Sequence, residues 1–180
     1  MNFVRKSILT IFLLLSIAVL SSYLLGACKK DQNTDGLHLL QQEIPTGFPQ
    51  PAYTFQDNPL SEEGFELGRK LFYDGRLSID NLHPCSSCHQ QIAGFGTFEH
   101  DRSHGVFNSH TLRNAPVLFN LAWSTSFHWD GEFVSLKDAI AQPINGHIEM
   151  GESFEGVINK IKDDKDYQER FKKVFRYPFI

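Results

Sequence analysis

The stretch Cys85-Ser86-Ser87-Cys88-His89 puts two thiols three residues apart and an imidazole directly after them. Thiols at that spacing can add to the two vinyl groups of a porphyrin, and the adjacent imidazole then reaches the iron, as in a c-type haem. With three cysteines and eight histidines in 180 residues, chance alone would give this pattern in roughly two chains per thousand of this composition. A redox-active dithiol is the first competing reading, and it lacks the βαβ setting such motifs occupy. A zinc site is the second, and it would need a distant histidine. Haem therefore leads, with Cys85 and Cys88 as attachment points and His89 as the proximal iron ligand.

What lies across the iron decides the chemistry. An electron carrier closes the sixth position with methionine or histidine, and Met150 is the one methionine besides Met1. His83, His100, His104, His110, His128 and His147 are the nearby imidazoles. A centre that splits peroxide instead keeps that position accessible and sets a base beside it, best a carboxyl whose burial brings its pKa toward the working pH. Glu149, between Ile148 and Met150, suits that task.

These residues need helices to hold them. In "PLSEEGFELGRKLFYD" Ser61 is the N-cap, acids fill the first turn, and Leu60 is placed to staple Phe65. Gly64 and Gly68 leave a smooth patch on that helix, at a cost of about 2 kcal/mol against alanine, so something packs closely there. Gly94 to Asn120 has no sustained period and reads as loop with short helical pieces. "VSLKDAI" opens a helix with a Ser135 to Asp138 capping box, and Pro143 limits it. "SFEGVINKI" and "DYQERFKKVF" follow as amphipathic helices capped by Ser153 and Asp164. No strand alternation is convincing, so the fold class is all-α, a helical domain around one covalently attached haem.

The start of the chain reads differently. Arg5 and Lys6 precede an apolar run from Ile8 to Leu25 and then "LLGAC", which makes residues 1–27 a secretory signal. "LGAC" resembles a bacterial lipobox, with Cys28 as the lipidated first residue; an uncleaved membrane anchor is the alternative. Either way the remainder lies outside the cytoplasm, and the lipobox reading makes it a periplasmic, membrane-anchored lipoprotein. A lipidated Cys28 also leaves Cys85 and Cys88 as a set. Loss of Arg5 and Lys6 takes the formal charge from −4 to −6; a mildly acidic chain without a basic block excludes nucleic acid as a partner. Residues 28–58 read as a tether and irregular arm, and 59–180 as the haem domain, which stops without a closing element and so looks truncated.

The run "LGRKLFYDGRLS", then "CSSCH", "GFG", "RNAPVLFNLAW", "FHWDGE" and "IEMG", resembles the N-terminal half of the bacterial di-haem cytochrome c peroxidases, to which the methylamine-utilisation di-haem enzymes are related. The resemblance implies a cytochrome c-like domain bearing the peroxidatic haem. It places the catalytic glutamate at Glu149, the proline of the distal pocket at Pro143, and a tryptophan that relays electrons between two haems at Trp129. Asn114 matches an asparagine that helps bind an interdomain calcium ion, and Arg113 beside it is expected to face a haem propionate. His104 is the counterpart of a histidine that caps the resting iron, with His100 and His110 as rivals. Reduction of hydrogen peroxide by a small cytochrome c or cupredoxin, and a homodimer of the full-length protein, are implied as well. Departing from the family, the chain has no second C-x-x-C-H, so a second haem is expected in a missing C-terminal half. A mono-haem electron-transfer cytochrome is the alternative.

Overall fold

The computed structural model describes residues 36–176; the signal segment and Cys28 lie outside them. Among the described residues five α-helices follow one another: α1 (Glu62–Phe72), α2 (Cys85–Cys88), α3 (Leu136–Asn145), α4 (Phe154–Ile161) and α5 (Lys165–Phe175). Short 3-10 turns at Gly75–Leu77, Gln91–Ala93, Val106–Asn108 and Leu121–Trp123 punctuate the rest. Among the described residues there is no strand, only isolated bridges such as His104 with His110 and Phe127 with Phe133. The helical class expected from the sequence is the one observed.

Each longer helix begins where a side chain can take up a free amide. Ser61 Oγ accepts from Gly64 N–H at 3.1 Å, Ser153 Oγ from Gly156 N–H at 2.9 Å, and Asp164 from both Asp166 and Tyr167. Glu62 and Glu63 open α1 while Arg69 and Lys70 close it, so the charges oppose the helix dipole at both ends. α1 packs against α5, and α4 against the Gly75–Leu77 turn. The core they enclose holds Leu67, Leu77, Ile144, Met150, Val157, Ile161 and Tyr167.

The glycine patch on α1 divides in two. A Cβ on Gly64 would meet Ser61 Oγ at 2.9 Å and Val174 Cγ1 at 3.8 Å, so this position is where α5 comes close. Gly68 has open space beside it and lines a cleft of about 1180 Å³ with Phe65, Phe72, Phe95 and Leu118. That cleft includes none of Cys85, Cys88 or Glu149.

A polar knot locks the helical end of the domain. The Tyr167 hydroxyl donates to Asp74 Oδ2 at 2.8 Å, Arg76 binds Asp74 through two nitrogens, and Arg76 Nη1 reaches Asp164 at 3.1 Å. Burial pushes the Asp74 carboxyl up, but the hydrogen bonds from Arg76 and Tyr167 outweigh it and hold the group at about 2. Lys70 and Arg76 also lie over the Tyr167 ring, which is fully buried.

The described part of the arm, from residue 36 on, is tied down at several points. Glu62 N–H donates to His38 O and Leu40 N–H to Leu60 O, both at 2.9 Å, and Tyr53 N–H donates to Ala122 O at 2.9 Å. Trp123 Nε1–H donates to Pro49 O at 2.8 Å. One expectation from the sequence is corrected: α3 does not stop at Pro143 but continues through it to Asn145. The missing amide hydrogen is made good from outside the helix, as set out below.

Candidate active site

α2 is a single turn, and it presents Cys85 and Cys88 with free, partly exposed thiols. Its end is held from behind: Thr97 Oγ1 donates to Cys88 O at 2.9 Å, and Thr97 and Ser103 share a hydroxyl contact of 2.5 Å. His89 follows as the C-cap, and its Nδ1–H donates to Phe95 O at 2.8 Å. A carbonyl can only accept, so Nδ1 carries the proton and Nε2 is left with a free lone pair for a metal. Burial lowers the His89 pKa, opposed by the carbonyls of Phe95 and Pro116, so the ring favours its neutral form. Phe72 lies beside it with ring centroids 6.4 Å apart, and Phe95 packs edge-on against Phe72.

Facing this turn is a second loop. Residues 103–111 close on themselves through Thr111 N–H to Ser103 O at 2.9 Å and Gly105 N–H to Ser109 O at 3.0 Å. His104 packs between His100 and His110, with ring centroids 4.9 and 4.4 Å away. The structure thus brings together all three candidate capping histidines. His104 O accepts from Cys88 Sγ at 3.4 Å, which sets the loop against α2.

The same loop is stapled to Glu149. Val106, fully buried, donates its N–H to Glu149 O at 2.9 Å, and Ser109 Oγ–H donates to Ile148 O at 2.9 Å. Glu149 N–H in turn donates to Gly146 O at 2.9 Å. Glu149 Oε2 is buried with no hydrogen-bond partner. Burial raises the carboxyl's pKa, against opposing contributions from the Gln142 side chain and the charge of His128. Burial pushes the Cys88 thiol up, against hydrogen bonds from Ser87 and Ser103, and Glu149 adds a smaller upward push. The His104 loop is bonded both to Cys88 and to the Glu149 backbone, and so joins Glu149 and the thiol-bearing turn in one site across sixty residues of sequence.

Met150, beside Glu149, is committed elsewhere. It is 7% exposed and packs in the core with Leu67, Ile144 and Tyr167. Trp129 is exposed, with Nε1–H donating to Asn114 O at 2.7 Å. Arg113 pairs with Asp130 at 3.0 Å. The Asn114 carboxamide accepts from Thr97 N–H at 3.1 Å and donates to His100 O at 2.6 Å, so it braces the loop between α2 and His104. Pro143 lies within α3, and its carbonyl accepts from Met150 N–H at 3.1 Å.

Residues 62–179 match the family described as Di-haem cytochrome c peroxidase. The chain belongs to this family. Among its relatives is the Methylamine utilization protein MauG of Methylorubrum extorquens, 34% identical over 131 residues, covering 73% of this chain and 36% of that protein. The Cytochrome c551 peroxidase of Pseudomonas aeruginosa is 30% identical over 156 residues, covering 87% of this chain and 45% of the relative. A solved structure of a MauG-like protein associated with microbial copper homeostasis superposes with a TM-score of 0.69 at 35% identity, covering 78% of this chain and 42% of that one. The chain thus spans less than half the length of these relatives.

The family implies haem c, and the residues present fit that group. Two free thiols on one turn, a proximal imidazole with its tautomer fixed, and a buried carboxylate oxygen without a partner are the donor set and the polar neighbour such a cofactor requires. Two roles escaped the sequence reading of the site: His128 as the partner of Ala139 O in α3, and Thr97 as the brace of α2. Pro143 inside a helix signals the first, because it leaves a carbonyl in need of a donor. No local signal marks Thr97.

Proposed function

We propose that this chain is the peroxide-reducing domain of a haem peroxidase that draws electrons from a small redox protein. The observation that carries the reading is the buried, unpartnered Glu149 Oε2, on a residue whose backbone is hydrogen-bonded to the same loop that contacts Cys88 on the turn bearing Cys85, Cys88 and His89. Cys85 and Cys88 would hold one haem c covalently, and His89 Nε2 would bind its iron. When bound, that haem supplies the iron and the redox equivalents needed to cleave a peroxide O–O bond.

Glu149 does the proton work. Its Oε2 accepts the proton from the inner oxygen of hydrogen peroxide and returns it to the outer oxygen, which leaves as water. Two electrons and two protons per peroxide complete the balance, giving two waters. A carboxyl raised by burial suits both halves of that transfer, since it takes up and releases a proton near neutral pH more readily than an exposed one. Pro143 and the His104 loop would flank the peroxide site, and His104 is the residue that would cap it at rest. Trp129 would pass electrons from a second haem, carried by a further segment of the longer protein, with a cytochrome c or cupredoxin as donor. Arg113 would face a haem propionate and Asn114 would contribute to an interdomain calcium site. Residues 1–27 would direct export and Cys28 would carry lipid, which puts the domain of residues 59–180 in the periplasm on a tether of residues 28–58. The full-length protein would dimerise.

Glu149→Gln in the haem-loaded, full-length protein tests this. It keeps the shape and removes the base, so peroxide turnover falls about 10²- to 10⁴-fold while the haem spectrum is retained. Undiminished turnover would sink the assignment. The mono-haem electron carrier loses one of its two kinds of sixth ligand, because Met150 is packed in the core, and it would have to use a histidine.

A further inference from the structure

Pro143 creates a defect in α3 that the fold repairs from elsewhere. A helical carbonyl is normally paired with the amide four residues on, so Ala139 O should receive the N–H of residue 143. Proline has none, and its ring also pushes that carbonyl outward. Ala139 is buried, so water is a poor substitute. The His128 ring lies there instead, with Nε2 at 3.1 Å from Ala139 O. The carbonyl must accept, so Nε2 carries the hydrogen.

His128 is itself held firmly for this task. Its backbone takes a left-handed φ of 65°, a conformation that a non-glycine residue adopts only when surrounding contacts require it. Phe127 N–H donates to Phe133 O at 2.7 Å and Gly131 N–H to His128 O at 3.2 Å. The imidazole packs on the Phe133 ring at 4.7 Å. Downstream of Ala139, the turn it steadies runs straight to Glu149 through three bonds: Gly146 N–H to Gln142 O at 2.8 Å, Glu149 N–H to Gly146 O at 2.9 Å, and Met150 N–H to Pro143 O at 3.1 Å.

We propose that His128 is a positioning residue for Glu149: its imidazole supplies the hydrogen-bond donor that Pro143 withholds from α3, and so holds the turn that delivers the carboxylate to the site. The functional consequence rests on the peroxidase reading above, whereas the hydrogen-bond substitution does not.

The test is a double-mutant cycle in the haem-loaded, full-length protein. His128→Phe keeps a ring against Phe133 and removes the donor, and His128→Gln keeps an N–H. Pro143→Ala gives α3 back its own amide hydrogen. The expected result is that His128→Phe lowers the melting temperature in the Pro143 background and much less in the Pro143→Ala background. In the Pro143 background it also lowers kcat for peroxide by about tenfold or more, with KM for the electron donor unchanged and partial recovery in His128→Gln. Equal losses of melting temperature in both backgrounds would overturn the proposal, as would failure of His128→Phe to accumulate in either. Accumulation only in the Pro143→Ala background supports it. Because the coupling is read by melting, it stands or falls separately from Glu149→Gln turnover.

Discussion

Replacing Gly105 by alanine asks how closely the His104 loop must approach the turn that carries Glu149. Gly105 is buried with an ordinary extended backbone, φ −113° and ψ −171°, so alanine meets no dihedral penalty there. Its Cβ, however, would drive into the Ile148 carbonyl and lie 2.9 Å from Ser109 Oγ. A backbone carbonyl cannot rotate away as a side-chain tip can, so the loop must lift. Overpacking of this kind costs about 1–3 kcal/mol. Lifting also stretches Val106 N–H to Glu149 O and Ser109 Oγ to Ile148 O, each bond contributing about 1 kcal/mol. Stiffening of the unfolded chain returns about 0.4–1 kcal/mol. The net expectation is a loss of about 2–3 kcal/mol, or a fall in melting temperature of about 5–10 °C for a chain of this size. Thermal unfolding of the haem-loaded protein, followed by circular dichroism and by the Soret band, measures it. Ser109→Ala removes one of the two bonds without the collision and should lose about 1 kcal/mol. If Gly105→Ala melts within about 1 °C of the parent, the reasoning that joins the loop to the Glu149 turn is refuted.

Tyr167→Phe removes the hydroxyl bond to Asp74 and should cost about 1–2 kcal/mol at neutral pH by urea titration, since Arg76 still holds the carboxylate. Asp74 falls from 3.8 in the unfolded reference to about 2 in the fold, so its stabilisation is complete above the unfolded value and is lost as pH falls toward 2. The gap between parent and Tyr167→Phe should therefore narrow from pH 5 downward, and a gap that widens there would contradict the network. Thr97→Val strips the donor to Cys88 O and the partner of the Ser103 hydroxyl. It should lower stability by about 1–3 kcal/mol and reduce the yield of covalently attached haem, read from the pyridine haemochrome spectrum.

Local chemistry made much of the helical frame legible. Ser61, Ser153 and Asp164 cap the helices that their sequence positions called for, because an N-cap depends only on a short side chain and the next three amides. The Cys85, Cys88 and His89 set was equally readable, since thiols and imidazole lie within five consecutive residues. Pro143 misled for the same local reason: a proline ends a helix unless a donor arrives from elsewhere, and His128 lies eleven residues upstream of the carbonyl it serves.

What the sequence determined by itself was the covalent and local part: the haem-attachment motif, the caps, and a carboxylate with apolar neighbours. Tertiary structure decided which neighbour went where. Glu149 and Met150 are adjacent in sequence, yet one ends with a buried, unpartnered oxygen beside the thiol turn and the other in the core. Hydrogen bonds from Val106 and Ser109 make that division, and they exist only once the chain has closed a loop of about forty residues, a long-range contact that no local rule specifies.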